Sequence, residues 1–222
     1  MFTLDLHTHT RFFHGRRRLG DRFDPVGVRL LSLAARRRGL DALALTNHDY
    51  YTSFSGRDPV LLPGIEISTT RGHVLVLGED PPRETTAGAL TPTEAVDLAH
   101  ARDCVAVMAH PFRNGDIRHS TADFDAVELN GKHPENQPLV QDIARERDIP
   151  MVGGSDAHFP FEVGRAYTVV DADEPTASAV VGAIRDGRVT AKTDFGPIHD
   201  ALNRVYTLVH RRKGHLPPAE RR

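Results

Sequence analysis

Short apolar runs alternate along this chain with longer stretches whose apolar residues recur at helical spacing. The runs FTLDLH (2–7), ALALT (42–46), VLLPGIEIS (60–68), HVLVLG (73–78), CVAVMAH (104–110), FDAVELN (124–130), PMVGGSD (150–156) and AYTVV (166–170) read as strands. DPVGVRLLSLAARRRG (24–39) predicts a helix, with Asp24 as its cap, Pro25 in its first turn and Gly39 at its end. TPTEAVDLAHARD (91–103) predicts a second, opened by a Thr91/Glu94 capping box. Two more are expected near 134–147 and 175–186. The fourth strand can fold back on the third as a hairpin across TTRG. This β–α alternation predicts an α/β fold with a mostly parallel sheet, as one small closed or nearly closed barrel. The barrel is expected over residues 1–200, with a short helix and a basic, proline-containing tail over 201–222.

Composition changes this picture at one point. Of 222 residues, 39% are hydrophobic and 26% charged, ordinary values for a globular domain. The net charge of −2 makes no overall electrostatic case for nucleic acid or membrane binding. No apolar run approaches the ~18–20 residues of a membrane span, and the N-terminus has no signal-peptide pattern. A cytoplasmic protein without a membrane partner is expected. The single cysteine, Cys104, lies in an apolar run and reads as core. The 13 histidines are the departure, because histidine is the commonest metal ligand.

Nine residues able to ligate metal fall in separate places, mostly where a strand is expected to end: His7, His9, His14, His48, Glu66, His73, His110, Asp156 and His158. A structural zinc site would draw its ligands from one short stretch. Ligands arriving from successive strand ends point to a barrel-type metalloenzyme. Alternation along a strand turns His7 and His9 to one side, and Asp156 and His158 to one side. Asp5 would share the face of His7 and orient an imidazole. Gly64 would let backbone or metal approach near Glu66, whose two oxygens could bridge two metals. The mixed imidazole and carboxylate set suits Zn, Mn or Fe.

The ordered segments HTH, TNHD, PGIEIS, GHVLVLG, AHPF, ELNG and GGSDAH resemble the polymerase and histidinol phosphatase (PHP) domain family, over roughly residues 2–190. The resemblance implies a distorted (β/α)7 TIM-like barrel, with two or three divalent metal ions at its C-terminal mouth, that hydrolyses phosphate esters. It implies a first metal held by His7, His9, Glu66 and Asp156, and a second by Glu66, His73 and His110. His14, His48 and His158 would hold a third. Two features depart from the family pattern. Asn47 stands where an Asp-His-Asp motif is usual, and His14 lies in a loop.

The expected chemistry is attack on phosphorus by a hydroxide bridging the metals. Asp156 and His110 are the expected catalytic residues at the metals, and Arg113 is the expected bidentate phosphate contact. Asn130, Lys132 and Arg165 are further candidate substrate contacts. The substrate class is a phosphomonoester, nucleotide-like or a small phosphorylated metabolite. The loop RFFHGRRRLGDRF (11–23) carries Arg11, Arg16, Arg17, Arg18 and Arg22, with Phe12, Phe13 and Phe23. It reads as a solvated loop or as a funnel for a nucleotide or nucleic-acid end. The alternatives are an amidohydrolase-like metallohydrolase acting on a non-phosphate substrate, or a non-catalytic metal-binding module. The first often needs a carboxylated lysine, and Lys132, Lys192 and Lys213 are the only lysines. None of these clearly ends a barrel strand, whereas Glu66 can serve as the bridge.

Overall fold

The computed structural model describes residues 1–11, 20–113 and 115–194, with the backbone alone for residues 20–22. His14, most of the basic loop and the segment expected at 201–222 therefore lie outside the described residues. The elements in chain order are β1 (Phe2–Thr8), α1 (Gly20–Arg37), β2 (Ala42–Leu45), β3 (Val60–Thr69), β4 (Gly72–Leu77), α2 (Pro92–His100), β5 (Val105–Met108), β6 (Ala126–Asn130), α3 (Gln137–Arg147), β7 (Met151–Gly154), β8 (Ala166–Val170), α4 (Ala177–Arg185) and β9 (Val189–Thr193). No helix among the described residues is long and apolar enough to cross a membrane.

The strands form one sheet in the order β7-β6-β5-β4-β3-β2-β1-β8-β9. It curls into a nearly closed barrel. Where β7 ends, the chain pairs with the end of β1. The His9 N–H donates to the Ala157 carbonyl at 2.8 Å, and the Ala157 N–H to the His7 carbonyl at 3.2 Å. Two adjacent glycines allow this closure. A Cβ on Gly153 would lie 2.3 Å from the Tyr167 carbonyl oxygen, and one on Gly154 would lie 2.6 Å from the His7 Cβ. The Thr168 hydroxyl adds a stitch, accepting from the Gly153 N–H at 2.8 Å and donating to its carbonyl at 3.0 Å.

The sheet is less parallel than the alternation suggests. β1–β2, β2–β3, β5–β6 and β6–β7 pair in parallel. β3–β4, β4–β5, β1–β8 and β8–β9 pair antiparallel. The expected hairpin is the reason at β3–β4, since only two residues connect these strands and no parallel crossover fits in that length. β9 was not legible as a strand, because its residues alternate between half-buried and exposed at an edge of the sheet.

Leu4, Leu6, Ala44, Leu62, Leu75, Leu77, Val105 and Val107 fill the interior with α4, whose Val180, Val181 and Ile184 pack against them. On the outer face Ile65, Ile67, Val74, Val76, Ala106 and Met108 pack with α2 and α3. Most strands are thus apolar on both faces, as buried strands must be. The α2 capping box forms as expected, with Thr91 and Glu94 bonding each other's backbone. Asp24 is not a cap: α1 begins at Gly20 and Pro25 lies within it. The Asp24 carboxylate instead accepts from the Thr10 hydroxyl at 2.8 Å and Arg11 Nε at 3.0 Å. Arg11 is thereby tied into the structure, and it also covers the Tyr50 ring.

Candidate active site

Glu66 is the centre of the mouth. It is fully buried in β3, and its two oxygens face two groups of imidazoles. Oε2 lies 3.2 Å from His7 Nε2, 3.2 Å from His9 Nε2 and 3.1 Å from His48 Nδ1. Oε1 lies 2.8 Å from His73 Nδ1 and 2.9 Å from His110 Nε2. His73 reaches this point from the start of β4, because β4 runs antiparallel to β3 and begins at the mouth. Gly64 serves packing rather than metal approach: its missing Cβ makes room for the side chains of Leu77 and Thr46.

His7 reaches the interior through a slip in the β1–β2 ladder between Asp5 and Thr8. The slip turns His7 to the side of Leu4 and Leu6. Asp5 is left on the opposite face, so it does not orient an imidazole. Its carboxylate accepts from the Ser155 N–H at 2.9 Å, the Ser155 hydroxyl and the Gly164 N–H at 2.8 Å, fixing the loop that carries Asp156. Burial pushes the Asp5 carboxyl up to about 6, against these hydrogen bonds.

His110 and Asp156 each stand two residues beyond a strand, and both have positive φ, 27° and 52°. Such non-glycine conformations cost on the order of 1–3 kcal/mol and persist only where surroundings impose them. At His110 the clamp is Glu128, whose Oε2 accepts the His110 N–H at 2.8 Å. Asp156 Oδ1 lies 3.3 Å from His9 Nε2 and 3.8 Å from His7 Nε2. Its Oδ2 meets Lys132 Nζ at 3.2 Å and the Arg113 guanidinium.

The electrostatics follow from crowding buried donors around two carboxylates. Burial alone would raise Glu66, but His48, His7 and His73 hold it well below the usual range. Burial would likewise raise Asp156, but Lys132, Arg113 and His7 hold it well down. Burial would lower His7, yet Glu128, Glu66 and Asp156 outweigh it and push it well up. Burial dominates at His48 and keeps it low.

The donor set fits divalent metal. Glu66 Oε2 is buried and accepts no hydrogen bond, although three ring nitrogens lie within 3.2 Å of it. Those nitrogens converge beside the oxygen without hydrogen-bond geometry, as donors sharing one cation do. Three groups could each hold an ion: His7, His9 and Glu66; His48, Glu66 and His73; and His9, His48 and His158.

The PHP-associated family model matches residues 134–189. PsfC of Pseudomonas syringae superposes with a TM-score of 0.72 at 19% identity, covering 92% of this chain and 97% of that one. The lesion-specific endonuclease PfuEndoQ of Pyrococcus furiosus superposes at 0.58 with 18% identity, over 86% of this chain and 57% of that one. Endonuclease Q also has a structure with a duplex bearing an abasic lesion at the active site. An uncharacterized protein of Methanocaldococcus jannaschii is 29% identical over 141 residues, which is 56% of this chain. The chain spans about half the length of that curated relative, 55% of it.

Residues 134–189 thus match the PHP-associated family, and the barrel as a whole shares the fold of these structures. Eight of the nine residues singled out in the sequence converge at the mouth of the barrel; His14 lies outside the described residues. His48 stands within reach of two groups, His9 with His158 and Glu66 with His73. His9 stacks between His48 and His158, at ring distances of 4.6 and 4.3 Å. Asn47, the departure from Asp-His-Asp, bonds Thr10 and Thr52: its Oδ1 accepts from the Thr10 N–H and hydroxyl, and its Nδ2 donates to Thr52. An amide supplies both roles.

Glu128 and Glu162 were missed in the sequence. Glu128 Oε1 lies 2.7 Å from His7 Nδ1, so the residue that orients His7 also clamps His110. Glu162 accepts the N–H groups of His158 and Phe159 at 2.7 and 2.9 Å and fixes the His158 loop. The signal available was a carboxylate inside an apolar strand, AVELN, which a solvent-facing position also explains. Asn130 is buried and bonds Glu128 and the Lys132 N–H, and Arg165 is fully buried.

Proposed function

We propose that this domain is a metal-dependent phosphoesterase acting on a phosphomonoester, either nucleotide-like or a small phosphorylated metabolite. The observation that carries this reading is Glu66. Its two oxygens face two separate imidazole groups, an arrangement suited to a carboxylate bridging two cations. His7, His9, Glu66 and Asp156 would hold one ion, and Glu66, His73 and His110 a second. His48 and His158, with His14, would hold a third. Zinc, manganese and iron all suit these donors. Bound there, the ions would acidify water and neutralise charge on phosphoryl oxygens.

The chain's own residues prepare the rest. Glu128 holds His7 with Nε2 toward Glu66. Asp5 and Glu162 fix the loop that presents Asp156 and His158. Arg113, beside Asp156, is placed to orient a phosphoryl group with its planar fork.

The test is phosphate release from a panel of phosphomonoesters, nucleotides and a 5′-phosphorylated oligonucleotide, with added Mn²⁺. Wild type should release phosphate from at least one member. Asp156→Ala and chelator should each abolish release. A folded, metal-loaded wild type that hydrolyses no member overturns the reading.

A further inference from the structure

We propose that Lys132 and Arg113 form a two-cation subsite that selects a terminal, dianionic phosphate over a diester; this rests on the phosphoesterase reading above. Lys132 follows β6 and is 8% exposed. Its Nζ lies 3.2 Å from Asp156 Oδ2 and 3.1 Å from His158 Nδ1. Arg113 follows the neighbouring strand β5 and meets the same Asp156 oxygen. Two cations thus converge on one oxygen of one carboxylate.

At one Asp156 oxygen a single carboxylate meets two cations, and its other oxygen faces His7, His9 and His158. Glu66 and Glu128 also act on Arg113, but their oxygens are taken by imidazoles, the His110 N–H and Asn130. A largely buried lysine is costly unless an anion faces it. Divalent ions bound at Asp156 and Glu66 would outweigh these carboxylates and leave a positive excess beside Lys132 and Arg113. An anion carrying two charges neutralises this excess better than one carrying a single charge. A phosphomonoester near neutral pH offers that second charge, and a diester does not.

The backbone on either side of Asp156 is held by other contacts, the Asp5–Ser155 bonds and the Ala157–β1 pairing. Lys132 is thereby available to grip a substrate oxygen, with Arg113 gripping another.

The experiment compares wild type with Lys132→Met, which keeps the apolar stem, and Arg113→Gln. Metal content is measured in each. Binding of inorganic phosphate to the Mn²⁺-loaded protein is measured by calorimetry. KM and kcat are measured for p-nitrophenyl phosphate and for bis(p-nitrophenyl) phosphate. The expected result is full metal content and phosphate binding weakened roughly 10- to 100-fold, the size of a lost charge-assisted hydrogen bond. KM for the monoester should rise by a similar factor and KM for the diester much less. Unchanged phosphate affinity, equal losses on both esters, or metal lost with Lys132 would each overturn the subsite. If wild type hydrolyses neither ester nor any member of the panel above, the phosphoesterase reading falls, and the phosphate isotherms still decide whether Lys132 and Arg113 form an anion subsite. Should Lys132→Met not fold, Arg113→Gln carries the same comparison.

Discussion

At the floor of the barrel, the inward positions of β1, β3 and β4 carry Leu4, Leu62 and Leu77, packed against α4. At the mouth, the same three strands carry His7, Glu66 and His73, all within 3.2 Å of a partner on another strand. Both ends bury most of their inward side chains, but by opposite means. The floor gains from burying apolar area, which needs no particular partner. The mouth buries charge and polar groups, which is tolerable only when each finds its partner in the right geometry. The floor therefore sets stability, and the mouth sets what the protein can bind.

The largest effect expected from breaking this division is at the floor. Leu4→Ala should cost about 2–5 kcal/mol through lost burial and the cavity left behind, read by chemical denaturation. Metal affinity of the molecules that remain folded should be unchanged. Loss of metal affinity without loss of stability would show that floor and mouth are coupled.

A smaller effect is expected from Glu128→Gln, which sharpens the comparison from the other side. Partners that orient a ligating histidine are worth roughly 10- to 100-fold in metal affinity. Metal titration should show that loss, with stability of the metal-free protein little changed. The same variant should alter pH dependence. Glu128, Glu66 and Asp156 push the His7 pKa well up in the metal-free protein, so metal must displace a proton there and binds more weakly as pH falls. Once the Glu128 charge is removed, the His7 ring holds its proton less tightly, and metal affinity should fall less steeply with decreasing pH. An unchanged slope would remove Glu128 from the control of His7.

The smallest effect is expected away from both ends. Thr91→Ala removes the α2 capping box on an exposed face and should cost about 0.5–2 kcal/mol. Metal content and turnover should match wild type. A change in either would show that the outer helix layer reaches the mouth.

The residues themselves determined a good deal. Strand positions, the β3–β4 hairpin and the α2 cap follow from local patterning, because apolar alternation and backbone-capping chemistry act over a few residues. The ligand-type side chains were equally legible, since imidazoles and carboxylates recurring at strand ends have few other uses. Only the tertiary structure decided how they meet. The slip in β1 separates Asp5 from His7, although simple alternation puts them on one face. The reversal of β4 brings His73 to the mouth from the start of a strand. Glu128 reads as an ordinary charged residue and Lys132 only as a candidate substrate contact until the barrel closes, when one is placed against His7 and the other against Asp156. The physical reason is range. Periodicity and caps are short-range properties of the chain, whereas a buried charge is defined by partners from other strands and loops, and these are brought to it only by the curvature and closure of the sheet.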